Sequence, residues 1–137
     1  GDLAAGRLLA QLMAQAWSGD VRPQALVPVP LHQARLRRRG YDQALELARP
    51  LATALDLPLR CDLLQRVRAT AAQSQLDAAS RRRNLRGAFR AEGRELPAHV
   101  ALVDDVMTTG ATVHAAAEAL RQAGVARVDA WVCARAP

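Results

Sequence analysis

Two adjacent carboxylates, Asp104 and Asp105, follow four apolar residues in the stretch HVALVDDVMTTGAT at 99–112, and a turn of Thr108, Thr109, Gly110, Ala111 and Thr112 comes soon after. Each part has a chemical use. Where that turn opens a helix, the backbone N–H groups of residues 108–112 would point out of the helix N-terminus, and the dipole there favours a phosphate. Gly110 permits a tight backbone, and the hydroxyls of Thr108, Thr109 and Thr112 add donors for a doubly charged anion. Two carboxylates beside an anion would repel it unless they address something else, such as sugar hydroxyls or a magnesium ion. The combination predicts a phosphorylated sugar as ligand. The plainer alternative is that the acids end a strand and Thr109 caps a helix.

Those residues need a strand behind them and a helix ahead. Residues 100–103 read as a buried strand, 104–110 as a loop, 111–123 as a helix stopped by Gly124, and 125–133 as a second strand. A unit of that size and order is a βαβ crossover, which demands a parallel sheet. Upstream, the run ALVPVP at 25–30 reads as a buried strand, although Pro28 and Pro30 remove ladder donors and argue that it ends early or lies at an edge. Residues 42–55 repeat Ala44, Leu47, Ala48, Leu51 and Leu55 at helical spacing and stop before Pro58. An amphipathic helix is expected over 3–17, through Leu8, Leu9, Leu12, Met13 and Ala16, with Gly19 as its stop. Residues 59–67 admit a strand or a turn plus strand, 87–90 a short strand, and 93–97 a turn. Between them, 68–84 holds polar residues and arginines with few apolar anchors, a solvated stretch with at most a short helix near 78–85. The fold class is α/β, a mostly parallel twisted sheet flanked by helices in one domain of 137 residues.

Composition narrows the setting. Half of the residues are apolar, dominated by 30 Ala and 20 Leu, so the chain can build a core of small aliphatics. No apolar run reaches the 18 or so residues of a bilayer span and no signal peptide opens the chain, which predicts a cytoplasmic protein with no membrane span. Cys61 and Cys133 are too few for a disulfide framework, lack zinc-site spacing, and are expected to be buried structural thiols. His32 and His114 are isolated and read as surface or core residues, and no metal site is expected. Net charge is +6, and all 19 basic residues are Arg. A GC-rich coding sequence explains the bias but not its placement: Arg35, Arg37, Arg38 and Arg39 form one cluster, and Arg81, Arg82, Arg83 and Arg86 another. Guanidinium forks match phosphate oxygens, which points to phosphorylated small molecules or nucleic acid as partners.

The segment VALVDDVMTTGAT is similar to the thirteen-residue phosphoribosyl pyrophosphate (PRPP) motif of type I phosphoribosyltransferases. Outward from it, VPVPLHQARLRRRGYDQALELA at 27–48 and RVRATAAQSQLDAASRRRNLRGAF at 66–89 resemble signature blocks of the ComF (ComFC/GntX-like) family associated with DNA uptake and competence. The resemblance spans roughly residues 1–135. It implies that Asp104 and Asp105 address the ribose hydroxyls, and that Val106, Met107, Thr108, Thr109, Gly110, Ala111 and Thr112 complete the ribose and 5-phosphate site. Arg35, Arg37, Arg38 and Arg39 would serve a pyrophosphate loop after the first strand. Gln73, Arg81 and Asn84 match the family's flexible loop, which covers PRPP and excludes water. The sheet rule agrees independently, because parallel strands put the loops after Pro30 and Val103 on one edge at a topological switch point. Mg²⁺ would arrive bound to PRPP. Tyr41 could stack on a base but is expected to pack against its own helix. The N-terminal zinc-ribbon-like module common in ComF-like proteins has no counterpart here, so either the chain begins inside a longer protein, which its abrupt start at Gly1 fits, or this member lacks the module.

Three functions compete on these residues. The first is an enzyme transferring phosphoribose to an acceptor that no segment identifies, with release of pyrophosphate and Asp104 and Asp105 at its catalytic centre. The second is a non-catalytic single-stranded DNA-binding competence factor using the same fold, with Trp17, Tyr41, Phe89 and Trp131 as the only aromatics for stacking. The third is a PRPP-sensing regulator, and partner proteins of DNA uptake fit all three.

Overall fold

The computed structural model describes residues 21–30, 43–67, 87–93, 95–107 and 110–135. The expected helices at 3–17 and 78–85 lie outside the described residues. A parallel sheet forms from β1 (Ala25–Pro28), β4 (His99–Met107) and β5 (Arg127–Arg135) in the order β1–β4–β5. Leu59 adds an isolated parallel bridge on the other side of β1, opposite Leu26. Helix α1 (Gln43–Leu55) carries the chain from β1 to Leu59, and α2 (Ala111–Ala123) carries it from β4 to β5. The two crossovers therefore leave in opposite directions from the seam between β1 and β4.

Both faces of the sheet are covered, which is why its strands read as near-continuous apolar runs. On one face Leu26, Ala101 and Val103 pack beneath Leu47, Ala48, Leu51 and Ala52 of α1. On the other, Ala25, Val27, Val100 and Leu102 meet Val113, Ala116, Ala117 and Leu120 of α2, spaced at i, i+3, i+4 and i+7. The same core holds a two-stranded antiparallel ribbon, β2 (Leu64–Arg66) with β3 (Phe89–Ala91), through Leu63, Leu64, Ala88 and Phe89.

Several boundaries differ from the expected ones for physical reasons. Strand β1 stops at Pro28 rather than residue 30. Leu26 donates to the Pro58 carbonyl while Val29 donates to Val103, so alternation turns residue 28 toward the Leu59 side, where proline has no N–H to give. Pairing there is limited to one bridge, so β1 is an edge strand of the three-stranded sheet, as its prolines argue. Strand β4 runs to Met107 rather than 103, because β5 continues alongside it to Arg135. Strand β5 starts at Arg127 rather than 125: Gly124 (φ 120°) turns the chain, and Val125 is buried and donates to Leu120. Segment 59–67 resolves into the Leu59 bridge followed by β2. The expected strand at 87–90 is β3, shifted by the left-handed Gly87 (φ 74°). Cys61 is exposed, not buried, because it lies in the bend between that bridge and β2. The side chain of Cys133 is outside the described residues.

The N-terminal edge of the sheet is tied by polar contacts. Gln24 Oε1 accepts from the backbone N–H of Ala98 (2.7 Å) and His99 (3.3 Å). His99, buried at the start of β4, meets Asp129 Oδ2 at 2.7 Å, and Arg127 donates to Asp129 Oδ1 at 3.1 Å. Burial opposes ionisation of Asp129, but the hydrogen bonds from His99 and Arg127 outweigh it and hold its carboxyl below the usual range. A carboxyl with a lowered folded pKa stabilises the protein above its unfolded value of about 3.9, and that contribution is lost as pH falls through the lower folded value. Asp129→Asn should therefore cost about 1 kcal/mol at neutral pH, and its thermal unfolding should fall less steeply than the parent's below about pH 4. Parallel acid limbs in a pH series would show that the pair contributes nothing. Glycine substitutions test the ribbon. A Cβ on Gly93 (φ 138°) would lie 2.6 Å from the Leu63 side chain, which is fully buried, whereas a Cβ on Gly87 meets nothing within 4 Å. Gly93→Ala should cost about 2–3 kcal/mol by combining strain and overlap, against about 1 kcal/mol for Gly87→Ala, read from denaturant midpoints.

Candidate functional site at the ends of β1 and β4

The neighbouring parallel strands β1 and β4 end at different heights. Pro28 stands opposite Val103, and the last contact between the strands is the bond from Val29 N–H to the Val103 carbonyl at 2.9 Å. Beyond it β4 continues through Asp104, Asp105, Val106 and Met107, paired with β5 alone among the described strands. The acid pair therefore occupies a ledge of β4 that overhangs the end of β1. It is not in a loop, as the sequence suggested, and Asp104 lies about 10 Å below the end of its strand at 3.3 Å per residue. Asp104 is half-buried and opposite Val132, on the sheet face shared with Val100 and Leu102.

The ledge leads into the start of α2. Gly110 adopts a left-handed conformation (φ 81°, ψ 0°) as the N-cap, and its carbonyl accepts the His114 N–H at 2.9 Å, the first bond of the helix. Only glycine takes that backbone without strain, so the glycine of the turn has a conformational reason. Ala111 and Thr112 are half-buried, and the buried Val113 pins this turn to the core. The first turn of α2 contains no acidic residue, so the positive end of its dipole is not offset from within the helix.

The crossovers from β1 and β4 diverge at this seam. In open α/β sheets, that switch point leaves a crevice outside the carboxyl ends of the strands, where ligands bind. Of the expected site residues, the structure brings Asp104, Gly110, Ala111 and Thr112 to this edge, together with the backbone of Asp105, Val106 and Met107. Thr108, Thr109, Arg35, Arg37, Arg38, Arg39, Gln73, Arg81 and Asn84 lie outside the described residues. So do Trp17, Tyr41 and His32. The other two aromatics are engaged in the fold: Phe89 is buried beneath the Arg66 guanidinium, 5.2 Å from its ring centre, and Trp131 packs on the α1 face. What sequence reading missed is the ledge itself, since its length depends on how far β5 runs beside β4. The Gln24, His99 and Asp129 contacts were missed as well, and only a period-2 match between distant strands could have signalled them.

Comparison with known proteins bears on the same edge. The family model described as phosphoribosyl transferase domain matches residues 41–137. Competence protein F of Haemophilus influenzae is 44% identical over 117 residues, covering 83% of this chain and 51% of that protein. DNA utilization protein YhgH of Escherichia coli strain K12 is 41% identical over 128 residues, covering 93% and 56%. The chain thus spans somewhat over half the length of the curated relatives it matches. Among solved structures, a glutamine PRPP amidotransferase from B. subtilis superposes with a TM-score of 0.65 at 22% identity, covering 96% of this chain and 26% of that one. Hypoxanthine phosphoribosyl transferase from Trypanosoma cruzi gives 0.52 at 14% identity, covering 99% and 74%. At such identities these likenesses speak to fold, and the fold is the type I phosphoribosyltransferase one. A doubly wound sheet with its acid ledge and glycine-opened helix at the switch point, matched by the family model over most of its length, places this chain in the phosphoribosyl transferase domain family.

Proposed function

We propose that the chain binds PRPP at the switch point and transfers its phosphoribosyl group to an acceptor, with release of pyrophosphate. The observation that carries this reading is the position of Asp104 on the β4 ledge, beside the exit of β1 and ahead of a helix opened by a left-handed glycine. Asp104 and Asp105 accept hydrogen bonds from the ribose 2- and 3-hydroxyls. The turn from Thr108 to Thr112 holds the 5-phosphate. The loop that follows β1 brings Arg35, Arg37, Arg38 and Arg39 to the pyrophosphate, and Gln73, Arg81 and Asn84 belong to the loop that covers it. In the transfer, the bond from the anomeric carbon to the pyrophosphate oxygen breaks, its electron pair leaves with pyrophosphate, and the acceptor forms the new bond. The protein contributes by positioning the reactants and by stabilising charge on the leaving group and the sugar.

Bound to PRPP, Mg²⁺ would offset pyrophosphate charge. The hard carboxylate oxygens of Asp104 and Asp105 suit such a cation. No helix among the described residues is long and apolar enough to cross a membrane, and we place the protein in the cytoplasm. The names of its relatives support a role in DNA uptake or utilisation, alongside partner proteins of that process.

Those names and the arginine clusters also favour a second reading, a single-stranded DNA-binding factor without turnover. With Phe89 and Trp131 engaged in the fold, such binding would draw mainly on charge rather than on stacking from these two rings. A PRPP-sensing regulator is a third possibility. Calorimetry with PRPP and Mg²⁺ separates them. The parent should bind, and the Asp104→Asn, Asp105→Asn double variant should lose at least about tenfold in affinity, as expected for charge-assisted hydrogen bonds. Pyrophosphate release in the presence of acceptor candidates distinguishes enzyme from sensor. A parent that gives no heat of binding rejects both. DNA binding whose log K falls linearly with log salt, unaffected by PRPP, would favour the second reading.

A further inference from the structure

We propose that the outer edge of β5 is a self-association surface, on which a second copy of this chain adds its own β5 antiparallel across a two-fold axis at Trp131. No part of this depends on PRPP binding. Among the described strands β5 pairs only with β4, on the side of the sheet away from β1. It runs nine residues, Arg127–Arg135, in one unbroken register with β4 and contains no proline. The N–H of Arg127 donates to the Ala98 carbonyl, and backbone direction alternates along a strand, so residues 127, 129, 131, 133 and 135 face β4. Val128, Ala130, Val132 and Ala134 turn their N–H and C=O groups the other way, where no described strand meets them. Long edges are usually blunted by charge, proline or a bulge, and none of these falls among the four outward residues.

The strand is complementary to itself, and that selects a second copy as the occupant. Trp131 is the midpoint of the nine residues, so a two-fold axis there overlaps the whole strand. Val128 then stands opposite Ala134 and Ala130 opposite Val132, and both members of each pair are outward-facing. Every outward N–H of one copy meets an outward C=O of the other, about eight bonds in an antiparallel ladder. Trp131 falls opposite its own counterpart, in the kind of pair where cross-strand side chains approach most closely. Ala130 is exposed, and Val128, Trp131 and Val132 are half-buried, so apolar surface along the seam remains to be covered. Helix α1 is centred over β1 and β4, to one side of that seam. Like charges meet only at the two ends, where Arg127 falls opposite position 135, and there Asp129 already pairs with Arg127 at 3.1 Å. Two three-stranded sheets would join into one, with their acid ledges at opposite edges. A seam of nine residues is about 30 Å long. It buries less than a permanent interface does, below about 1,200 Å² in total, so the dimer is a weak one that dissociates in the micromolar range.

The test is sedimentation equilibrium of the 137-residue chain from about 1 μM to about 1 mM, with amide hydrogen exchange read residue by residue by NMR toward both ends of that range. The parent should pass from monomer to dimer. Protection should rise with concentration at Val128, Ala130, Val132 and Ala134, and stay unchanged at Asp129 and Trp131, whose N–H groups face β4. A monomer throughout overturns the proposal. So does a dimer without that alternating gain, because its interface would lie elsewhere. Ala130→Pro removes one outward donor from each copy and leaves the β4 ladder intact. It should weaken association at least about tenfold, with thermal unfolding of the dilute protein little changed. Ala130→Ser, which keeps the N–H, should associate like the parent. A folded proline variant that dimerises as tightly as the parent overturns the proposal, and if that variant does not fold, the exchange pattern of the parent decides.

Discussion

The short parallel pairing of β1 with β4 is the constraint on which the rest depends. It is closed at its upper end by the bond from Val29 to Val103 and cannot be widened on the Leu59 side, because Pro28 has no donor to offer there. Both strands are buried on both faces, so α1 and α2 must lie on opposite sides and the crossovers must part at this seam. The early stop of β1 and the long run of β4 then create the ledge. A pair of carboxylates inside a fully flanked strand would be costly to bury. On the ledge Asp104 is only half-buried, at the edge where the two crossovers part.

Charge follows a similar division between scaffold and site. The described arginines are largely occupied with the fold. Arg60 pairs with Asp62 at 2.9 Å, Arg90 with Glu92, Arg121 with Glu118 and Arg127 with Asp129, while Arg22 donates to the Leu55 carbonyl at the end of α1. The hydrogen bond between Arg60 and Asp62 shifts both toward their charged forms, raising the first and lowering the second. Exposed pairs of this kind add little stability, typically below about 1 kcal/mol each. They do show that these arginines already have carboxylate or carbonyl partners. The clusters at 35–39 and 81–86 contain no carboxylate of their own, so the excess of +6 is concentrated in segments that flank the strands and ribbon leading to the switch point.

Much of the architecture was legible along the chain. The βαβ unit, the helix at 111–123 and the core stripes of both helices follow from the 3.6-residue spacing of Leu, Val and Ala and from Gly124 as a stop. Boundaries were less legible where they depend on a partner strand. Whether residues 104–107 are loop or strand is decided by β5, which pairs with them and is remote in sequence. The exposure of Cys61 was hidden for a comparable reason: a small apolar-like residue reads as core, but the bend between the Leu59 bridge and β2 carries it outward.

By itself, the sequence determined the chemistry and the class of the fold: two carboxylates, a hydroxyl-rich glycine turn, clustered guanidiniums, and a strand, helix and strand order that admits only a parallel sheet. These are local properties, set by residue type and periodicity. Tertiary structure alone decided how far β4 runs past the end of β1, that Asp104 stands on the resulting ledge, and that His99, Gln24 and Asp129 tie the opposite edge of the sheet. Each of those depends on register between strands far apart in sequence, and register is set by the packing of two helices on two faces at once, which no single stretch of the chain contains.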